Sequence, residues 1–391
     1  MKKNCFIDLL FICIFIIFSW GNPNFIEDNL LIILIIAVFI QSVISLGVIL
    51  KRRNLEIVIR NNILVLLIIL FCFISAIYST QVQITIRQSI VILFLSIASI
   101  NLCILYNEED ILRIICIYTL ISMIFSMIIL IISPLSALTI AHGDILGLQG
   151  VFGHKNGLGR VMLIGFIIMK YYSEKYEVKI YKYIKFICIP FILFSKSTTI
   201  LILMLIYFIY KVYAKRNKYR IVKISNFVFI SGFIVLVIFN DQLSNSIIGE
   251  VFYNVTGKSI QLTGRIPIWE FMLKCFEQSP FIGYGYAAFW ENNDFIYSML
   301  HSTQSSIPVL GSHNGYLDIL LNLGLIGFAI LIGLLIQAYK MNKYKNDYSI
   351  HVLSIILISN LFENALLSNS IFWILIVCFA NKNLITKYTN L

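Results

Sequence analysis

Four short polar strings interrupt an otherwise apolar sequence, and they hold the residue types from which phosphate chemistry is built. "GVFGHKNGLGR" (150–160) carries His154, Lys155, Asn156 and Arg160. "FSKSTT" (194–199) carries Lys196, "LTGRIP" (262–267) carries Arg265, and "GSHNGYLD" (311–318) carries His313 and Asn314. A guanidinium grips two phosphate oxygens at once, and an ammonium adds a point charge. Glycine-rich turns that lead into helices present free backbone N–H groups to an anion. A histidine that titrates near neutrality can take the proton of an attacking hydroxyl. The four strings therefore suit group transfer from a substrate that leaves a phosphate or pyrophosphate behind. Plainer readings stand beside this one. His313 could simply cap a helix, and Lys258 and Lys274 could sit at a membrane interface. Gly324 and Gly327 fit close helix packing, and the Tyr and Trp residues of 284–290 fit an aromatic belt.

The elements that must position these strings are membrane spans. The chain of 391 residues is 59% hydrophobic and only 13% charged, with a mean hydropathy of +0.90, whereas a soluble domain carries about 25% charged residues. A span needs about 20 mostly apolar residues. Apolar runs lie at 5–20, 30–50, 62–79, 88–105, 111–133, 157–170, 184–195, 198–213, 224–240, 316–339, 349–366 and 370–381. The first follows Lys2 and Lys3 and resembles a signal peptide, but no small-residue cleavage site follows, so it reads as a retained span. The expected fold is an all-α polytopic integral membrane protein. About twelve transmembrane helices form a single transmembrane domain over 1–391, with a long loop at 241–315 that carries short helices. Within that loop "RIPIWEFMLKCFEQSP" predicts an amphipathic helix at the membrane boundary, its apolar face made by Trp269, Met272, Leu273 and Phe276.

Charge supplies the orientation. Alternating the spans from a cytoplasmic N-terminus leaves only Arg87, Lys155, Arg160, Lys196, Lys258, Arg265 and Lys274, of 30 basic residues, on the outer side. Such asymmetry is the positive-inside rule, and it accounts for the net charge of +11 without nucleic acid. Both termini then lie inside, and all four polar strings fall outside. Five of the six prolines, all but Pro190, lie in outer connections, which predicts spans that are regular helices. The eight cysteines show no Cys–x–x–Cys or Cys/His ligand spacing. Neither a disulfide framework nor a metal site is expected, and no cofactor.

The run from His313, H-N-G-Y-L-D-x-L-x-x-x-G-x-x-G, resembles the signature of the O-antigen ligase and O-antigen polymerase superfamily of bacterial membrane glycosyltransferases. "FGHKNGLG" (152–159) resembles a second signature, frequent in polymerases of surface polysaccharides. "TGR" at 263–265 with Trp269, followed by "SPFIGYG" at 279–285, resembles the long periplasmic loop of that superfamily. Order and spacing agree from about Gly150 to Ile330, whereas the first 130 residues match only in being spans. The resemblance implies a metal-independent glycosyltransferase of the inner membrane whose site faces the periplasm. Its substrate would be an undecaprenyl-pyrophosphate-linked oligosaccharide drawn from the lipid bilayer, with a flippase and a chain-length regulator as possible partners. By the same resemblance Arg265 and a second cation hold the pyrophosphate, and His313 assists the acceptor hydroxyl. His154, Lys155 and Asn156 belong to the second motif, and Asn314 follows the histidine of the first. One departure concerns "SKSTT" (195–199), where the superfamily often places its basic residue two positions later; Lys196 or Arg160 then supplies the second cation. A polymerase is the expected activity, with ligation of a finished glycan to lipid A-core as the alternative. A flippase of the same lipid-linked sugar fits less well, because transporters carry polar or broken helices near mid-membrane.

Overall fold

A computed structural model describes residues 55–141, 144–213, 265–302, 311–342, 347–368 and 370–384, with scattered positions elsewhere. The expected spans 5–20 and 224–240 lie mostly outside the described residues, as does more than half of 30–50, and Thr263 and Gly264 lie outside them.

The helices, in chain order, are α1 (Leu55–Asn61), α2 (Ile63–Ile74), α3 (Val82–Leu105), α4 (Glu108–Ile132), α5 (Lys155–Lys175), α6 (Lys179–Ile184), α7 (Cys188–Phe194), α8 (Thr198–Tyr213), α9 (Arg265–Gln278), α10 (Asn293–Ser302), α11 (Gly315–Asn342), α12 (Asp347–Ser359) and α13 (Ile371–Ala380). Among the described residues α3, α4 and α11 are long and apolar enough to cross a membrane. Shorter apolar helices cover Ile63–Ile77, Thr198–Ile209, Tyr348–Ser359 and Ile371–Ala380. The fold is thus helical, as expected, but the expected number of spans is not reproduced as long helices. One exception to the all-α reading is an antiparallel hairpin, β1 (Leu138–Ala141) and β2 (Asp144–Leu148).

The connections gather at two ends. At one, Glu108 takes Lys175 at 2.7 Å and Lys382 at 3.5 Å. Asn381 there donates to Asn62 at 2.7 Å. Asn107 accepts from the Asp110 N–H at 2.8 Å and so caps α4. Glu108, Glu109 and Asp110 fill its first turn, where carboxylates favour the helix dipole. At the opposite end the loop after α9 is clasped to the turn between α2 and α3. Tyr78 donates to the Ile282 carbonyl at 2.9 Å, Thr80 N–H to Tyr284 at 3.1 Å, and Thr85 to the Tyr286 carbonyl at 3.0 Å.

Two expectations about regular helices are corrected. Helix α11 is broken at Gly324, whose φ of 62° and ψ of −167° are not helical. The backbone of Phe281 and Ile282 fills the break, so closely that a Cβ on Gly324 would lie 2.2 Å from the Phe281 carbonyl carbon. Four backbone bonds seal it: Tyr284 N–H to Leu321, Gly285 N–H to Asn322, Leu325 N–H to Pro280 and Ile326 N–H to Phe281. A left-handed residue is almost free only for glycine, which explains why the "SPFIGYG" loop meets "NLGLIG" here. A broken helix therefore does occur, and it is filled by protein backbone. The second correction concerns 349–366, where α12 ends at Ser359 and residues 360–368 form turns and irregular backbone before α13.

Nor does α9 lie as a free amphipathic helix. Ile268, Trp269, Phe271, Met272 and Cys275 are buried in a core with Phe289, Ile296, Met299 and Leu321, while Leu273 faces out. The aromatic residues of 284–290 are anchored to protein. Tyr284 donates to the Cys275 carbonyl at 2.7 Å, Tyr286 to the Leu367 carbonyl at 3.1 Å, and Trp290 to Asp318 at 3.0 Å.

Candidate active site

Helix N-termini set the two histidine motifs in place. His154 caps α5, its Nδ1 accepting from the Asn156 N–H at 3.3 Å. A neutral His154 then carries its proton on Nε2, so that nitrogen is a donor toward its surroundings. Asn314 caps α11, its Oδ1 accepting from the N–H groups of Tyr316 at 3.0 Å and Leu317 at 3.2 Å. Its side-chain oxygen is thereby occupied. His313, one residue earlier, has a φ of 46°. Such left-handed backbone is uncommon outside glycine and concentrates at functional sites. Trp269 of α9 holds the strand behind it, donating Nε1 to the Ser312 carbonyl at 2.9 Å. Among the described residues the His313 ring makes no hydrogen bond.

Glu363 joins the two motifs, and the sequence reading overlooked it. It is 8% exposed, in the turns between α12 and α13. Its carboxylate accepts from the Asn156 side-chain amide. Its backbone carbonyl and that of Asn360 share the Gly315 N–H, each at 2.9 Å. A Cβ on Gly315 would lie 2.7 Å from the Asn360 side-chain oxygen, so only glycine lets α11 start this close to the turn. The signal was present: a glutamate flanked by Asn360 and Asn364 inside an apolar run. An ionisable residue in such a run is by default a functional candidate.

The charge of Glu363 is felt at His154, Arg160, Arg265 and His313. Burial pulls the proton affinity of His313 below the ordinary histidine value. Arg265 pushes the same way, and Glu363 opposes. Burial also lowers His154, against Glu363, with Lys155, Arg160 and His313 adding to the lowering. Both rings are thereby biased toward the neutral form, which a proton acceptor must have. The guanidinium of Arg265 stands 5.9 Å over the Phe362 ring, and that of Arg160 stands 5.4 Å over Phe372. Stacking of this kind fixes the plane of the cation. Arg160 Nη1 is buried without a hydrogen-bond partner among the described residues. It borders a cavity of about 350 Å³ lined also by Phe152, His154, Asn364, Ser368 and Phe372.

The structure thus brings His154, Asn156, Arg160, Arg265 and His313 to one place. Lys155 lies next to His154, its backbone N–H on Thr139 at 3.3 Å. Lys196 follows Ser195, whose backbone packs with the Lys155 side chain around Gly147. It is exposed in the turn between α7 and α8, and no hydrogen bond, ion pair or ring contact joins its side chain to another described residue.

Two guanidinia, two neutral-leaning histidines and one carboxylate at one end of an apolar helical bundle define a class, a membrane protein whose polar site is suited to a polyanionic headgroup. Residues 184–332 match the family model described as O-antigen ligase, a stretch that includes the His313 and Arg265 motifs. The match takes in Lys196, Arg265, His313 and Asn314. His154, Asn156, Arg160 and Glu363 lie outside it. No curated protein matches the chain.

Proposed function

We propose that this protein is a surface-polysaccharide polymerase that joins undecaprenyl-pyrophosphate-linked repeat units at the periplasmic face of the inner membrane. The observation that carries this reading is the position of His313. Its ring makes no hydrogen bond among the described residues and feels the charges of Arg265 and Glu363, and His154 and Arg160 complete the cluster. The reaction forms a bond from a sugar hydroxyl oxygen of one unit to the anomeric carbon of another and breaks the bond from that carbon to the pyrophosphate. His313 takes the hydroxyl proton. Arg265 and Arg160 neutralise the departing pyrophosphate, as preorganised cations do where charge develops. Arg160, which lines the cavity and stands over Phe372, fits the second cation better than the exposed Lys196. Asn314 serves the site as a helix cap, and Lys155 adds to its positive charge. Helix α12 has 13 residues and so rises about 20 Å, less than the roughly 30 Å of a bilayer core. The Glu363 turn would then lie below the outer boundary. Backbone turns at that depth are tolerated where protein or a cavity surrounds them. In this reading residues 1–391 act as one transmembrane unit with 241–315 as its outer loop.

Ligation to lipid A-core is the second reading, favoured by the match to the O-antigen ligase family model. A strain that carries only the His313→Ala protein separates the two. Lipopolysaccharide capped with single repeat units is expected for a polymerase. Bare core with accumulated lipid-linked polymer marks a ligase, and an unchanged long-chain ladder reduces His313 to a structural position.

A further inference from the structure

Glu363 is the buried acid of the site, and the transfer chemistry above gives it no part. Its backbone carbonyl receives the first N–H of α11, and its carboxylate receives the Asn156 amide. The titratable groups that feel its charge are His154 and Arg160 from the start of α5, Arg265 from the start of α9, and His313 from the approach to α11. All are basic. Without a carboxylate among them, two stacked guanidinia and their neighbours repel, and burial makes that repulsion stronger than in water. We propose that Glu363 is the positioning residue of this site. Its carboxylate holds Asn156 in place and offsets the charge of Arg160 and Arg265, so that both guanidinia can serve one pyrophosphate.

Glu363 acts through its neighbours and makes no bond to the reacting atoms. The inference rests on the glycosyl-transfer reading for its kinetic consequence, but not for its electrostatic one. Removing the negative charge removes the influence that raises the proton affinity of His313 and His154. In Glu363→Gln, which keeps the size and can still accept from Asn156, both histidines should therefore titrate at lower pH than in the parent protein.

The test is made on the full chain purified in detergent. Histidine side-chain resonances are titrated by NMR, and transfer is assayed with a polyprenyl-pyrophosphate oligosaccharide. Glu363→Gln should lower the titration midpoints of two histidines. It should also lower kcat at least tenfold with KM unchanged or reduced, because the site becomes more cationic. Glu363→Asp, which restores the charge, should return the midpoints to their parental positions. Unmoved midpoints in Glu363→Gln overturn the proposal. If that variant fails to fold, Glu363→Asp decides: displaced midpoints overturn the proposal, and parental ones support it. Should the parent protein make no glycan while the midpoints move as expected, the glycosyl-transfer reading fails and the electrostatic role of Glu363 stands.

Discussion

Asn156 donates its side-chain amide to the carboxylate of Glu363, a residue 207 positions later in the chain. That bond ties the His-Lys-Asn motif at the start of α5 to the turns between α12 and α13. The same turns accept the first backbone N–H of α11, directly after His313 and Asn314. Two motifs that stand far apart in sequence are therefore held against one short segment that belongs to neither.

The break in α11 makes a prediction about stability. Gly324→Ala would place a methyl group against the Phe281 backbone and force a left-handed conformation on a residue with a Cβ. The left-handed backbone alone costs about 1–2 kcal/mol, and the clash adds to it. Thermal unfolding of the purified protein in detergent should show a clear loss, with activity reduced because α9 and the loop after it pack on the same segment. An unfolding temperature equal to that of the parent would show that the loop does not fill the helix.

Acid should inhibit late. Burial and Arg265 hold His313 below the ordinary histidine range, and Glu363 offsets this only in part. The neutral ring accepts the proton, so activity is present above the folded-state pKa and is lost as pH falls through it. The acid limb of kcat/KM, which reports the free enzyme, should accordingly lie below about 6.5, the unperturbed histidine value. An acid limb above that value would mean that the group being titrated is not a buried His313.

Sidedness is testable without any substrate. The ion pairs of Glu108 with Lys175 and Lys382 mark one end of the bundle, and the Tyr284 loop and Glu363 turns mark the other. A reporter fused after Asn293 should behave as periplasmic and one fused after Glu177 as cytoplasmic. Reporters on the same side would contradict the orientation and remove the periplasmic site with it.

Much of this was legible in the sequence, and the gaps have physical reasons. Apolar run length placed α4 to within three residues and the end of α3 at Leu105, but α3 starts six residues before its expected run and α5 ends five residues after its own. His154, Asn156, Arg265 and His313 stood out because they gather in short polar strings of phosphate-binding residue types that resemble a family signature. The break at Gly324 was not legible, since "NLGLIG" reads as a continuous span until the loop that fills it is known. Glu363 was absorbed into the run 349–366 for the same reason, although Asn360 and Asn364 beside it interrupt that run. The aromatic residues of 284–290 look alike whether they meet lipid or protein. Only the fold shows that Tyr284, Tyr286 and Trp290 spend their polar groups on Cys275, Leu367 and Asp318.

Whether this one protein, with arginines doing the work a metal does elsewhere, joins lipid-linked repeat units to one another is decided by incubating the purified full chain with a polyprenyl-pyrophosphate-linked repeat unit as sole substrate, in the presence of a chelator, and resolving the products on a gel. The expected result is a ladder of lipid-linked oligomers with one polyprenyl pyrophosphate released per bond formed, lost in Arg265→Ala and still impaired in Arg265→Lys, because a point charge does not replace the two-pronged contact. The absence of a ladder until lipid A-core is added, or a ladder that the chelator abolishes, would contradict it.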